Sequence, residues 1–275
     1  MKLNNSLALL SVLVFPVYGF SDIKEENFDG YGQAEVSLEG LNGGSGFLDA
    51  YTSGGSDTQY PNYQPGVNLN FENASSGYVD RNGDTADDGH ALGTATGGFN
   101  NQRLIRQISD TPVTGGTVWA SYVTSYADGA TDARLSFGLT ETGGTSPRFG
   151  AQGTDLLSRI DDSITEGGVV DFAEKYLVIA RLDINGAESS ISTWLFPASV
   201  TYAETLSPDN LDTLASASSS DTGALAGVQY MGIVVGANVL VDQLRISINE
   251  TVEGNKTSNT TGAVVHRGST IDLNP

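Results

Sequence analysis

Apolar and polar side chains alternate along residues 176–197, YLVIARLDINGAESSISTWLFP, in two runs separated by a short polar segment. An alternation with a period of two residues is that of a β-strand, whose successive side chains point to opposite faces of a sheet. Between the runs, Asn185 and Gly186 form a pair that tolerates the positive φ angles of a tight turn. The stretch therefore predicts a β-hairpin, and small polar residues up to Ser190 allow its turn to be longer than two residues.

Similar alternations occur at residues 103–108, 117–126, 133–140 and 238–248. The segments between them are rich in Gly, Asp and Thr, and the chain has 34 glycines. Short strands with turn signals between them are typical of an antiparallel sandwich or barrel, not of alternating strands and helices. We therefore expect an all-β fold.

The last of these strands predicts a buried carboxylate. In residues 238–248, NVLVDQLRISI, unbroken alternation places Asp242 on the same inward face as Leu240, Leu244 and Ile246. A buried charge is costly unless it is paired, hydrogen-bonded or bound to a metal. We expect Asp242 to accept hydrogen bonds from backbone N–H groups, to meet an arginine, or to bind a cation.

The first 19 residues have the features of a secretory signal peptide. Lys2 precedes an apolar run over residues 7–15, and the short residues after Pro16 suit cleavage after Gly19, with Ser21 as the alternative. The run is too short to cross a bilayer, and no later stretch approaches the roughly 20 apolar residues of a membrane-spanning helix. We therefore expect a secreted protein, extracellular or periplasmic, without a membrane span.

Composition divides the remainder of the chain into three parts. Residues 20–27 form a charged leader, residues 28–248 hold the predicted strands and form one domain, and residues 249–275 are a polar tail with room for one further strand. The chain has no cysteine, so the domain needs a large apolar core in place of disulfides.

The chain is strongly acidic, with 13 Lys and Arg against 33 Asp and Glu and a formal net charge of -20. Binding to a phosphate backbone requires clustered basic residues, and the sequence has no basic run. We therefore do not expect a nucleic acid as a partner. The acidity favours either solubility in a saline or extracellular medium or the binding of cations.

Four segments of the chain occur in the same order as similar segments in a known group of proteins. They are the entry FDGYGQAEVSLEGLNGGSGF, the strand TVWASYV, the hairpin opening YLVIARLDI with STWLFP after it, and the closing VLVDQLRIS. Together they resemble the concanavalin A-like, laminin-G-like jelly-roll proteins that many bacteria secrete. The resemblance covers residues 28–247 and implies a two-sheet antiparallel jelly-roll sandwich, while saying little about chemistry. Many such proteins end in a Pro-Glu-Pro sorting signal, whereas this chain ends STIDLNP, which implies release or another means of retention.

The most acidic loop, YVDRNGDTADDGH at residues 78–90, is the candidate metal site. Asp80, Asn82 and Asp84 at alternate positions, followed by Asp87, present oxygen ligands, of which Ca²⁺ takes six to eight. The loop is not an EF-hand, because Thr85 stands where the loop glycine belongs and the twelfth position is not glutamate. The segment predicts either a calcium site or a solvated acidic turn.

Four aromatic side chains are candidates for stacking on a sugar ring: Trp119, Trp194, Tyr60 and Tyr63. Each has one apolar body and one polar tip, a combination that suits binding surfaces. For the two tryptophans the alternative is the core, since both lie within alternating strands. For the two tyrosines the alternative is the cover of a loop or of a sheet edge.

The sequence shows no pattern of an active site. Jelly-roll glycosidases pair acidic residues on one strand, and neither such a run nor a Gly-x-Ser-x-Gly elbow occurs here. Only His90 and His266 offer an imidazole to a polysaccharide lyase. We therefore expect a non-catalytic module that binds an extracellular polysaccharide, a surface glycan or another extracellular surface. The alternatives are a lyase or glycoside hydrolase whose site is assembled from distant residues, and a structural envelope or matrix protein.

Overall fold

The computed structural model describes residues 22–26, 28, 38, 40–53, 62–65, 90–93, 102–126, 132–139, 147–160, 165–171, 174–236 and 238–250. These residues form two antiparallel β-sheets that enclose a common apolar core. The chain therefore folds as a two-sheet antiparallel sandwich of the jelly-roll type, and the predicted fold class is confirmed.

The first sheet consists of eight strands: β1 (Asp22–Glu26), β3 (Asn62–Pro65), β4 (His90–Gly93), β6 (Gly116–Tyr126), β11 (Lys175–Ile184), β12 (Ser189–Pro197), β13 (Ala217–Gly223) and β15 (Val239–Glu250). Their spatial order is β13-β12-β11-β6-β15-β4-β3, and β1 also pairs with β15. Strands β11 and β6 therefore lie near the middle of the sheet, and β13 forms one edge.

The second sheet consists of seven strands: β2 (Thr52–Ser53), β5 (Gln102–Gln107), β7 (Asp132–Gly138), β8 (Arg148–Gln152), β9 (Asp155–Arg159), β10 (Thr165–Val169) and β14 (Tyr230–Val235). Their spatial order is β10-β9-β8-β7-β14-β5-β2. The described residues also include one turn of α-helix, α1 (Leu211–Leu214), and a 3-10 turn at Gly186–Glu188. Among them no helix has the length and apolar character needed to cross a bilayer.

The predicted hairpin is confirmed as strands β11 and β12. They pair in an unbroken antiparallel register from Tyr176 opposite Pro197 to Asp183 opposite Ser190. The turn between them contains the 3-10 helix, in which Gly186 has a φ of 56°. A glycine adopts this left-handed conformation without the strain that a side chain would add. The turn is therefore longer than the two-residue type.

Alternate residues of the strands fill the core between the two sheets. Strand β11 contributes Val178, Ala180 and Leu182, and β7 contributes Leu135 and Phe137, all of them at most 2% exposed. Burial of one large apolar side chain stabilises a fold by about 1.5–3 kcal/mol. The two-residue period of the sequence is thus the pattern that holds the sheets together.

Strand β15 departs from the predicted alternation. Its register against β6 shifts just after Asp242, and Gln243 has a φ of 54°, which together define a β-bulge. Val241 before the bulge and Leu244 after it both lie in the core. Asp242 lies opposite Val123 on the outer face of the first sheet. The prediction that Asp242 shares the inward face of Leu244 is therefore wrong.

Asp242 is nevertheless fully buried. Its Oδ1 accepts the backbone N–H of Gln243 at 2.7 Å, which is one of the arrangements expected for a buried carboxylate on this strand. Such a local bond from an Asp side chain to a neighbouring N–H provides the partner that a buried acceptor requires.

The predicted charged leader contributes strand β1, which pairs with β15. Glu26 lies opposite Leu244 and is 1% exposed. Arg106 of the second sheet donates from Nη1 to Glu26 Oε2 at 3.2 Å, and Phe28 donates its backbone N–H to Oε1 at 2.9 Å. The first described strand of the fold thus begins at Asp22, and a buried ion pair joins the two sheets at this edge.

Arg106 is enclosed on all sides by polar and aromatic groups. Its Nη1 donates to the carbonyl oxygen of Gly43 at 2.8 Å, and its Nη2 donates to that of Asp49 at 2.7 Å. The guanidinium carbon lies 4.0 Å from the ring centroid of Phe47 and 4.6 Å from that of Tyr51. Hydrogen bonds and cation–π contacts together offset the free-energy cost of removing this charge from water.

A connecting segment, residues 198–216, packs on the outer face of the first sheet and is called the strap. Its side chains Tyr202, Leu206 and Leu211 are buried and cluster with Ile179 of β11. Helix α1 belongs to this segment. The strap therefore gives the first sheet a second, smaller apolar layer on its outer side.

Candidate functional site

Polar side chains line the part of the outer face of the first sheet that lies beside the strap. Cross-strand pairing aligns them in two rows over β6, β11, β12 and β13. The first row consists of Thr117, Asp183, Ser190 and Thr222. The second row, next to the first, consists of Arg181, Ser192 and Ser220, and Trp119 lies at its β6 end. We call the seven polar residues the hydroxyl-rich face, and all of them are half-buried or exposed.

The hydroxyl-rich face follows from the alternation of the hairpin strands. On β11, Leu182 lies in the core, so its neighbours Arg181 and Asp183 point outwards. On β12, Ile191 lies in the core, so Ser192 points outwards. The apolar half of the pattern holds these strands in place, and the polar half therefore lies on a rigid sheet.

One ion pair gives the hydroxyl-rich face its charge. Arg181 Nε donates to Asp183 Oδ1 at 3.0 Å and lies 2.9 Å from Oδ2. Thr117 Oγ1 donates to the same Oδ1 at 2.7 Å. The two charged side chains are 39% and 35% exposed. The contact with Asp183 uses Nε, and a guanidinium carries further N–H donors on its two terminal nitrogens.

The two tryptophans form a layer next to this ion pair. The rings of Trp119 and Trp194 are stacked, with centroids 6.2 Å apart and an interplanar angle of 21°. Arg181 places its guanidinium carbon 5.6 Å from the centroid of Trp119, within the range of a cation–π contact. The indole Nε1 of Trp194 donates to Asp212 of the strap at 2.6 Å. Stacking and hydrogen bonding thus fix both rings.

The structure brings the two predicted tryptophans together and encloses them. Trp119 is 1% exposed and Trp194 is 6% exposed, and both belong to the apolar cluster under the strap. Neither ring presents an open face to solvent in this conformation. Their contribution to a ligand site here is to support the hydroxyl-rich face from its side.

The other predicted site residues are not brought to this face by any described contact. Tyr63 lies in β3, which pairs with β4, and the position of its side chain lies outside the described part of the structure. The tyrosine at 60 and the predicted calcium ligands Asp80, Asn82, Asp84 and Asp87 lie outside the described residues. Among the described residues, no three His, Cys, Asp or Glu side chains come together as a metal site.

Sequence patterns did not single out Arg181 and Asp183 as site residues, although a signal for them exists. Two charged residues at positions i and i+2 of an otherwise apolar strand must lie on one face. Their partner Thr117 is 66 positions away in sequence, so only the fold brings the three side chains together. Arg245 was missed for the same reason: its Nε lies 3.7 Å from Glu25 Oε1 on the same outer face.

No protein-family model matches the chain, and no curated protein is significantly similar to it. Among solved structures, a peanut lectin in complex with a nine-residue peptide aligns with 74% of this chain and 99% of its own chain. That alignment has 11% sequence identity and a TM-score of 0.21. The architecture described above therefore rests on the strand order and register of this chain itself.

Proposed function

We propose that the protein is a secreted, non-catalytic jelly-roll module that binds a carbohydrate through the hydroxyl-rich face. The observation that carries the proposal is the half-exposed pair of Arg181 and Asp183, held with Thr117 on a rigid sheet. The expected partner is an extracellular polysaccharide or a surface glycan.

The chemistry of the face suits sugar hydroxyl groups, which both donate and accept hydrogen bonds. Asp183 provides acceptors, Arg181 provides donors, and the serines and threonines around them can do either. A few well-placed polar groups on a pre-formed surface fix the orientation of a ligand. Since the strands already hold these groups in place, little conformational entropy is lost on binding.

The chemistry of the face also favours binding over hydrolysis. Of the seven residues that form the hydroxyl-rich face, Asp183 is the only carboxylic acid. Hydrolysis of a glycosidic bond ordinarily uses two carboxyl groups, roughly 5–10 Å apart. The face therefore offers recognition without the usual pair of acid and base or nucleophile.

Secretion and family membership are part of the same proposal. Residues 1–19 have the charge, apolar run and short residues of a signal peptide, and the four segments named above resemble the concanavalin A-like, laminin-G-like proteins. Expression of the full chain with N-terminal sequencing of the exported product tests both the export and the cleavage after Gly19. An uncleaved chain retained in the cytoplasm would refute the extracellular assignment.

A glycan array tests the binding function directly. The mature chain, residues 20–275, should retain specific glycans, and Asp183→Asn should weaken that binding by about 10- to 100-fold, as expected for loss of a charged hydrogen bond. Asp209→Asn is the matched control, because Asp209 is an exposed acid on the strap. Unchanged binding by Asp183→Asn, or no glycan bound by the wild type, would contradict the proposal.

The same preparations distinguish the alternative functions. Incubation of each retained polysaccharide with the wild type should yield neither new reducing ends nor unsaturated uronates. If either product accumulates in proportion to the protein, the protein is a hydrolase or a lyase. A protein that neither binds nor degrades any of the glycans and polysaccharides would instead fit a structural role in the envelope or matrix.

A further inference from the structure

The two charges of the hydroxyl-rich face cancel. Of its seven residues, only Arg181 and Asp183 are charged, and the other five are serines and threonines. The two form the ion pair described above, in which Arg181 Nε lies 2.9 Å from Asp183 Oδ2. The face is therefore neutral, although the chain as a whole has a formal net charge of -20.

The guanidinium of Arg181 is held from two sides. Its Nε contacts both carboxylate oxygens of Asp183, at 3.0 Å from Oδ1 and 2.9 Å from Oδ2. Its central carbon lies 5.6 Å from the ring centroid of Trp119, and that ring is stacked on Trp194. An ion pair and a cation–π contact thus keep the guanidinium beside the carboxylate. A ligand that reaches Arg181 therefore also meets Asp183.

The other side of the ion pair presents acceptors. Thr117 donates its only hydroxyl hydrogen to Asp183 Oδ1 at 2.7 Å, so its oxygen keeps the capacity to accept. An ionised carboxylate also only accepts, through about four lone-pair sites on its two oxygens. Asp183 is 35% exposed, so its Oδ2 can accept a further hydrogen bond from a ligand. Arg181, in contrast, only donates.

A sugar hydroxyl matches both sides of this pair, whereas an anionic group matches one. A hydroxyl can donate to Asp183 while it accepts from Arg181. A carboxylate or a sulfate ester offers acceptors alone, so it would suit Arg181 but would lie against the oxygens of Asp183 and Thr117. Like charges placed side by side in an interface lower affinity, and the negative potential of the whole protein adds to the repulsion.

We propose that the hydroxyl-rich face selects uncharged glycans, and that Asp183 is the residue that excludes their acidic counterparts. This inference rests on the proposed function and names the chemical class of its ligand. Asp183 contributes to selection twice, because it accepts a hydrogen bond from a hydroxyl and repels an anionic group at the same position. Specificity commonly combines an attractive and a repulsive element in this way.

An array of matched oligosaccharides tests the selection. Glucose, galactose and mannose oligosaccharides are each printed in three forms: unsubstituted, methylated, and sulfated to the same degree. Methylation blocks hydroxyl groups without adding charge, so the difference between the methylated and sulfated forms reports the effect of charge alone. The protein is the mature chain, residues 20–275.

The wild type should bind at least one unsubstituted oligosaccharide, its methylated form more weakly, and its sulfated form most weakly. The difference between the methylated and sulfated forms should shrink as the salt concentration rises from about 50 to about 300 mM, because salt screens exposed charges. Binding of the unsubstituted form should not change over the same range, since that ligand carries no charge.

Asp183→Asn should move the two affinities in opposite directions. It keeps the size of the side chain and removes the charge, so binding of the unsubstituted form should fall as stated above. Binding of the sulfated form should rise by about threefold or more over the wild type, because the charge of Arg181 is then uncompensated. Asp183→Ser removes the same charge and gives the same test if Asp183→Asn does not fold.

Three further variants assign the exclusion to Asp183. Arg181→Gln leaves the carboxylate without its counter-ion and should lower binding of both forms. Thr117→Val removes an acceptor without changing the charge, so it should weaken binding of the unsubstituted form and leave the sulfated form excluded. Asp209→Asn removes one negative charge from the exposed part of the strap, and it should leave all three affinities as in the wild type.

The outcomes separate this inference from the proposed function. If the wild type binds sulfated and methylated forms equally well, and Asp183→Asn weakens both, the hydroxyl-rich face binds glycans but does not exclude acidic ones. An equal gain of sulfated ligand in Asp183→Asn and Asp209→Asn would assign the exclusion to the overall charge, and so would overturn the role of Asp183. A wild type that binds none of the oligosaccharides, and none on the wider array, would overturn the proposed function and this inference with it.

Discussion

The indole Nε1 of Trp194 donates a hydrogen bond to Oδ1 of Asp212 across 2.6 Å. This bond ties the strap to the first sheet at the point where Trp194 stacks on Trp119. A buried indole N–H needs a partner, so a side chain from the strap completes the burial of a side chain from the hairpin. The strap is therefore an integral part of the sandwich.

Removal of this bond should loosen the tryptophan layer. Asp212→Ala is expected to lower the free energy of unfolding by about 1–2 kcal/mol, since it leaves the indole N–H without its acceptor. The chain has two tryptophans, both in this layer, so a red shift of their fluorescence and easier quenching report the loosening specifically. Asp209→Ala on the same strap is the control. Identical spectra for both variants would contradict this role of Asp212.

The buried pair of Glu26 and Arg106 should be essential to stability. Glu26→Gln leaves the Arg106 charge buried without its counter-ion, and such losses typically cost about 3–5 kcal/mol. Urea unfolding measures the change, with Glu188→Gln at the exposed hairpin turn as control. The double variant Glu26→Leu with Arg106→Met should be more stable than Glu26→Gln, because it buries no charge. A double variant less stable than the single one would refute this explanation.

Gly150 should tolerate no side chain. It has a φ of 123°, and a Cβ atom there would overlap the carbonyl oxygen of Ala133 and the hydroxyl of Tyr122, which themselves form a 2.7 Å hydrogen bond. Gly150→Ala is expected to cost about 3 kcal/mol or more from strain and overlap. Gly153→Ala is the control, because its φ is 59° but no atom lies within 4 Å of the added Cβ. If thermal unfolding shows the same loss of stability for both variants, the structure relieves the overlap at Gly150.

Four buried tyrosines should make the protein sensitive to alkali. Burial is the main cause that raises the pKa of Tyr122, Tyr126, Tyr176 and Tyr202. An unfolded tyrosine ionises near pH 10, so above this pH the native state holds more protons than the unfolded state. The free energy of unfolding should therefore be steady below about pH 10 and fall as the pH rises beyond it.

Tyrosinate absorbance checks the alkaline prediction. At least four of the 11 tyrosines should remain protonated until circular dichroism shows unfolding. Full ionisation before the loss of native structure would contradict it. The protein unfolded in urea is the control, because all its tyrosines should titrate together near pH 10.

The calcium site at Asp80, Asn82, Asp84 and Asp87 remains a sequence-based prediction. A ligand that binds the native state alone raises stability, by about 2.7 kcal/mol at a concentration one hundred times its Kd. Calcium should therefore raise the melting temperature of the wild type, and a chelator should lower it again. Asp84→Asn should weaken the response, with Asp209→Asn as control. The same melting temperature with calcium and with chelator would support a solvated acidic turn.

The strands and the fold class were predictable because their signal is local. The alternation around Leu182 shows which side chains of β11 are buried, and the turn at Gly186 shows where the hairpin reverses. The bulge after Asp242 was missed, although Val241 and Leu244 carried its signal: two buried apolar residues three positions apart break a period of two. Unbroken alternation predicts one face for the whole strand, whereas the chain contains an inserted residue at the bulge.

The candidate sites depended on contacts that no local pattern encodes. Glu26 and Arg106 are 80 positions apart, so the charged segment around Glu26 resembled a leader instead of a strand. Thr117 and Asp183 of the hydroxyl-rich face are likewise 66 positions apart, and only the register of β6 against β11 makes them neighbours. Short-range periodicity predicts which face of the sheet a side chain lies on, whereas the pairing of strands determines which residues it contacts.

The strap also sets the shape of a ligand that the hydroxyl-rich face can take. Four adjacent strands span about 14 Å across the sheet, at 4.7–4.9 Å between neighbours, while two rows of residues span only about 7 Å along each strand. The open area is therefore a narrow surface strip whose long axis runs across the strands. A linear glycan that lies across β6, β11, β12 and β13 in turn would contact both rows with several of its sugar units. A glycan that runs parallel to the strands would reach the strap after about one sugar unit.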